Sequence, residues 1–271
     1  MTDLHGYRYR SSVFLEYYVV QAERDEMSAL RSALGLSSID SEIAKAIRDF
    51  GVEQVVREVV TGIERAGGNS ILNSLRGGGV SYLEILYDFV KKFQFENTLS
   101  YNDLLDLELP DRKAYPDEKA SGIVFALSEE WEGKIVAEVL KRTYEHLTPA
   151  QRKDFDSAIA KTLERQGVST GKGLAGAAGI MAIANMGGFA TYTLLSTVLS
   201  TASFGALGFG AYTFASSLLH LVIGPVGWIA LASYGAAWLA RPDQKKCLSL
   251  ILLISVLRQR VNAVAVSATR R

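Results

Sequence analysis

The sequence predicts an all-α protein: a multi-helix soluble domain followed by a Gly/Ala-rich apolar helical hairpin or bundle. Three observations predict it. Apolar residues recur at helical spacing through most of the first 166 positions, between glycine, proline and serine stops. No alternating strand pattern of useful length runs between residues 35 and 170. Sixty-eight consecutive residues, Gly173 to Ala240, carry no Asp, Glu, Lys or Arg, while the rest of the chain holds all 29 basic and 29 acidic side chains. A soluble domain of average composition breaks such a run many times. The composition shift divides the chain into an acidic helical domain, residues 1–168, and an apolar region with a basic tail, residues 169–271.

The elements follow in order. Val13 to Leu34 has helical spacing and ends at Gly35, a good helix stop. Its opening, SSVFLEYYVV, also suits a short N-terminal strand, because β-branched and aromatic residues favour the pleated surface. Asp40 or Ser41 caps a short helix through Phe50, and Gly51 follows. Val52 to Ala66 places Val55, Val56, Val59, Val60 and Ile63 on one face. Gly67 and Gly68 stop it. Ser70 to Arg76 gives one or two turns, halted by Gly77, Gly78 and Gly79. Ser81 caps Tyr82 to Phe93, whose Leu83, Leu86, Phe89, Val90 and Phe93 form a stripe. The polar stretch Glu96 to Lys119, with a short helix near Asp103 and prolines at 110 and 116, predicts a mobile loop or linker. A long helix from about Glu118 to His146 comes next. Thr148 as N-cap and Pro149 in the first turn restart a helix that runs to about Gln166.

The charge-free run is rich in Gly, Ala, Ser and Thr, and holds 11 of the 24 glycines. Phe189 to Ser217 and Leu218 to Ala240 are long enough to span a bilayer, which takes ~20 apolar residues. Leu218, Gly224, Pro225, Trp228 and Ile229 mark the candidate membrane segment, interrupted at Gly224-Pro225. Such a run is buried in lipid or buried in protein. A fragment ending near Gln166 is therefore expected to be soluble by itself. Residues 241–271 hold seven basic and one acidic side chain, against 22 basic and 28 acidic in residues 1–172. That basic tail suits anionic head groups on the cytoplasmic side, or pairs with the acidic N-terminal part.

The chemistry is sparse. One cysteine, Cys247, excludes an internal disulfide framework and a cysteine-based zinc site. The N-terminus has no apolar signal-peptide core, so the expected location is the cytoplasm or the cytoplasmic face of the inner membrane. The stretch from Gly167 to Gly173 lacks the spacing and hydroxyl of a phosphate loop. His5, His146 and His220 are far apart, with no ligand-spaced partners. Glu129 and Glu130 fit a solvated helix face. The acidic N-terminal part argues against nucleic acid. No catalytic constellation, cofactor or metal site is predicted. The densest pattern is Gly67, Gly68, Asn69, Arg76, Gly77 and Gly79: two glycine stops around a short helix that ends in one cation. It is a candidate interaction turn, or an interhelical corner with glycine caps.

The run GGNSILNSLRGGGVSYLEILYDFVKKF resembles the YaaW-like family of uncharacterised bacterial proteins, with its GG-[DN]-S-x-x-N-x-[LF]-R-G-x-G signature and following amphipathic helix. The block EEWEGKIVAEVLKRTYEHLTPAQRKDF and the GPVGW segment at Gly224 to Trp228 are similar to later parts of that family. The family is grouped with ubiquinol–cytochrome c chaperones, so the resemblance implies a chaperone-like role near a membrane and supplies no catalytic residues. The resulting expectation is a non-enzymatic, membrane-associated helical protein whose apolar half inserts conditionally. The alternatives are a chaperone-like assembly factor that binds an apolar partner segment, and a wholly soluble bundle with an unknown ligand. The partners are membrane lipid or an apolar protein segment, and a homo-oligomer is compatible with the small-residue spacings.

Overall fold

The computed structural model describes residues 9–67, 79–112, 114–145, 149–165, 176–185 and 242–269. Among the described residues every regular element is a helix. The elements are α1 (Arg10–Val19), α2 (Arg24–Leu34), α3 (Asp40–Phe50), α4 (Val52–Gly67), α5 (Tyr82–Lys92), α6 (Tyr101–Glu108), a 3-10 turn (Pro110–Arg112), α7 (Asp117–Glu145), α8 (Pro149–Arg165), α9 (Gly176–Asn185) and α10 (Pro242–Thr269). The expected hairpin windows, and the short helix from Ser70 to Arg76, lie outside the described residues.

The strand-like N-terminus is helical. Phe14, Leu15, Tyr18 and Val19 recur at helical spacing and are all buried, so packing of one face overrides local β propensity. The single expected helix from Val13 to Leu34 is two helices. Glu23 opens the second by donating its N–H to Glu26 Oε2 at 2.8 Å, a capping box in which Glu replaces the usual Ser or Thr. Gly35 ends α2 at φ +74°, a left-handed cap that any side chain would strain. Ser81 caps α5 as expected: its Oγ accepts the Glu84 N–H at 3.0 Å, and Glu84 Oε2 accepts the Ser81 N–H at 2.9 Å.

The polar stretch before α7 is no simple linker. Ser100 and Asp103 form a third capping box. Leu104, Leu107 and Glu108 of α6 are buried, and α6 packs on α1 and α5. Its prolines misled the sequence reading. Pro110 opens the 3-10 turn and Pro116 precedes α7, so both sit where they disrupt nothing.

The chain divides into two compact units. One joins Met1–Glu132 to Arg241–Val261; the other holds Gly133–Ala240 and Asn262–Arg271. In the first, α1 packs on α4, α5 and α6, while α2 and α3 lean on α4. Helix α10, read from the sequence as a basic tail, begins with a core segment. From Cys247 to Gln259 every residue but Ser249 is buried, the pattern of a helix covered on all sides. Local ties fix it. Lys246 Nζ donates to Leu34 O at 3.1 Å, and Cys247 Sγ to Ala66 O at 3.2 Å. In the second unit α8 packs on α9. Asp156 accepts the Gly176 N–H at 2.9 Å and the Tyr144 hydroxyl at 3.2 Å, which anchors the start of the Gly/Ala helix.

A fragment ending near Gln166 lacks the core segment of α10, which belongs to the first unit. It should show no cooperative thermal transition by circular dichroism, while the full chain does. A full-chain-like transition in the fragment would show that α10 is dispensable. Glycine substitutions should split by site. A Cβ at Gly79 would lie 2.3 Å from the Glu64 carbonyl carbon, whereas one at Gly122 within α7 meets nothing within 4 Å. Gly79→Ala should cost about 1–3 kcal/mol or more by overpacking. Gly122→Ala should gain about 0.5–1 kcal/mol in urea unfolding.

Candidate functional site

The first unit buries several ionised or ionisable groups, and burial of charge demands a partner. The densest cluster forms where α1, α5, α7 and α10 meet. Glu132 of α7 and Arg258 of α10 are each 1% exposed and form an ion pair through Arg258 Nη2 and Glu132 Oε2. The same carboxylate accepts the Tyr82 hydroxyl on Oε1 at 2.9 Å and the Ser255 hydroxyl on Oε2 at 3.0 Å. The guanidinium carbon of Arg258 lies 5.3 Å from the Phe14 ring centroid, a cation–π contact. Phe14 in turn meets Tyr18, Tyr82 and Phe125 at centroid distances of 5.1, 6.2 and 5.4 Å. Arg258 Nε and Nη1 have no hydrogen-bond partner, so the aromatic face is what covers much of the cation.

Burial pushes the Glu132 carboxyl up, against the opposing pull of Arg258, Tyr82 and Ser255. Burial works against the Arg258 charge, but Glu132, Tyr82 and Glu129 outweigh it and hold the guanidinium above its usual range. Burial, and then the adjacent Glu132, raise Tyr82 well above an ordinary phenol. Tyr82 therefore stays a neutral donor. Both oxygens of Glu132 are engaged by the protein itself. The arrangement can fix four helices in one register, and it leaves no lone pair aimed at a substrate.

A second buried group stands beside it. Glu108, the last residue of α6, is fully buried. Its Oε2 accepts the Ser11 N–H of α1 at 2.9 Å, while Oε1 has no partner. Burial is the first cause that raises the Glu108 carboxyl to about 7, and the neighbouring Glu84 adds to it; the Ser11 and Ser81 groups oppose it. Arg10 is adjacent in sequence to Ser11, yet its guanidinium donates to Leu107 O at 2.7 Å and to Asp117 Oδ1 at 2.5 Å.

Of the sequence-predicted interaction turn, Gly67 and Gly79 are described, and both are packing glycines. A Cβ at Gly67 would meet Ile85 Cγ1 at 2.3 Å. Gly79 lies against the Glu64 backbone, its carbonyl accepts the Tyr9 hydroxyl at 2.8 Å, and the next N–H, of Val80, reaches Glu64 O at 3.1 Å. The two glycines let α4 and α5 approach closely at the mouth of the turn. Gly68, Asn69, Arg76 and Gly77 lie outside the described residues, as do Leu218, Gly224, Pro225, Trp228 and Ile229. The basic tail pairs inward: Arg258 with Glu132, and Arg260 with Glu26 at 2.6 Å and Glu23 at 3.4 Å. The sequence reading missed Glu132, Arg258 and Glu108. A signal existed for Arg258, which follows ten residues from Leu248 to Leu257 that carry no charge. None existed for Glu108, which sits in an acidic, proline-flanked stretch.

Among the described residues no helix is long and apolar enough to cross a membrane, and no group of three or more His, Cys, Asp or Glu could hold a metal ion. Two proteins of Helicobacter pylori (strain J99 / ATCC 700824), each named "UPF0174 protein", are distant homologues. One is 22% identical over 212 residues, covering 76% of this chain and 89% of the relative. The other is 24% identical over 200 residues, covering 71% of this chain and 66% of the relative. The shared name denotes an uncharacterised family and states no activity. No family model matches the chain, and no solved structure matches it.

Removing one member of the buried pair strands the other. Arg258→Ala should cost about 3–5 kcal/mol in urea unfolding. The double variant Glu132→Leu with Arg258→Met should recover most of that loss, because it removes both charges and keeps volume. A double variant as unstable as the single one would show that the pair is needed for folding in itself.

Proposed function

We propose that the protein is a non-enzymatic, membrane-associated helical protein that engages the cytoplasmic face of a membrane through its charge-free run. The observation that carries this reading is the absence of Asp, Glu, Lys and Arg from Gly173 to Ala240, in a chain where they make up 21% of residues. In the sequence that run lies between the two chain segments of the first unit, Met1–Glu132 and Arg241–Val261. The inward pairing of Arg258 and Arg260 takes two of the seven cations of residues 241–271 out of reach of lipid head groups. Membership of the YaaW-like family, on the glycine–arginine signature and the GPVGW segment, belongs to the same proposal, as does conditional insertion. A chaperone-like assembly factor would use the same run to hold an apolar segment of another protein.

Flotation of the full chain with vesicles tests it. The chain should float with vesicles of a bacterial lipid composition, and Ile229→Lys should weaken partitioning by about 2.5–3.5 kcal/mol, the cost of a central lysine in a spanning segment. A monodisperse monomer that ignores vesicles sinks the membrane reading. If that monomer retains an apolar peptide, the assembly-factor reading replaces it. If Ile229→Lys instead abolishes folding, the segment is buried in protein.

A further inference from the structure

Glu108 occupies a place in the fold that its ionised form does not suit. It ends α6 and faces the first turn of α1, where Ser11 donates its backbone N–H to Oε2 at 2.9 Å. The carboxyl is fully buried and, among the described residues, Oε1 has no hydrogen-bond partner. The charged groups of every neighbouring element are directed elsewhere or carry the wrong sign. From α1, Arg10 is committed to Leu107 O and Asp117. From α5, Glu84 is a second buried acid, bonded to Ser81 and the Tyr101 hydroxyl. From α4, Glu64 accepts the Ser12 hydroxyl. In the 3-10 turn Asp111 is exposed, and Arg112 bridges to Asp106 at 3.0 Å. A buried carboxylate held only by neutral donors, with no cation on it, is pushed towards its protonated form.

We propose that Glu108 is a proton-operated latch between α6 and α1, closed when the carboxyl is protonated and loosened when it ionises. Protonation removes the charge that faces Glu84 and supplies an O–H that the Ser11 and Ser81 hydroxyls can accept. Ionisation leaves a buried anion that the Ser11 N–H and the Ser11 and Ser81 hydroxyls stabilise by less than burial costs it. The carboxyl is raised from 4.5 to about 7. The stability contributed by the latch is thus fully present below about 4.5 and is lost as pH rises through about 7. The gap limits the effect to roughly 300-fold in the unfolding equilibrium constant. The latch is independent of the membrane reading.

The test uses the full chain. The Glu108 side-chain carboxyl resonance, identified by its loss in Glu108→Gln, should titrate with a midpoint near 7. A midpoint below about 5.5 overturns the latch. Urea unfolding at pH 5.5 and 8.5 is the second arm. Relative to wild type, Glu108→Gln should gain at least tenfold more stability at pH 8.5 than at pH 5.5. Parallel pH profiles overturn the proposal. If Glu108→Gln fails to fold, the carboxyl midpoint, assigned through the backbone in the wild-type chain, decides alone.

Discussion

Glu132 and Arg258 are 126 residues apart in sequence and meet where neither can reach water. Once each is buried, the geometry of everything near them is narrowed. Arg258 must present Nη2 to one carboxylate oxygen and its face to Phe14. Tyr82 must hold the other oxygen, and Ser255, one turn before Arg258 on α10, shares the first. Sliding α10 by one residue would rotate Arg258 by about 100° off the carboxylate. A hydrophobic core tolerates such slips at moderate cost; a buried charge does not. The pair thus fixes, together with the Lys246 and Arg260 contacts, the register of a helix whose stretch from Leu248 to Leu257 carries no charge.

The same logic of close fit runs through the N-terminal helices. Serines at positions 11 and 12 spend their polar groups on Glu108, Tyr82 and Glu64, which ties the first turn of α1 to three other helices. Small residues let those helices come near enough. Gly79 rests on the Glu64 backbone, and Gly67 on Ile85. Glycine here serves proximity, while at Gly35 it serves a left-handed turn.

Much of the helical architecture was legible, because stops and caps are local. Gly35, Ser81 and Pro149 mark ends that depend on a few neighbouring atoms, and the valine stripe of α4 is read directly from its spacing. What failed was non-local. SSVFLEYYVV fits strand or helix until the partners of Leu15 and Tyr18 are known. Glu132 looks like its neighbours Glu129 and Glu130, yet only Glu132 turns inward to a cation supplied by the other end of the chain. The positive charge of residues 241–271 left head-group binding and pairing with the acidic N-terminal part equally open, and gave no sign of the buried segment of α10. Of the candidate turn, the outer glycines Gly67 and Gly79 have clear packing roles, while Gly68, Asn69, Arg76 and Gly77 lie outside the described residues.

A polypeptide is made from its N-terminus, and the core segment of α10 is made only after the charge-free run. When Glu132 emerges from the ribosome its partner is still more than a hundred codons away. The first unit therefore stays unsealed while the whole charge-free run is produced, with a buried-acid position and several apolar faces still open. During that interval the nascent chain exposes its most insoluble sequence and its incomplete domain together. Whatever receives that run, a bilayer or another protein, can do so before the domain closes, and the arrival of α10 sets the clock.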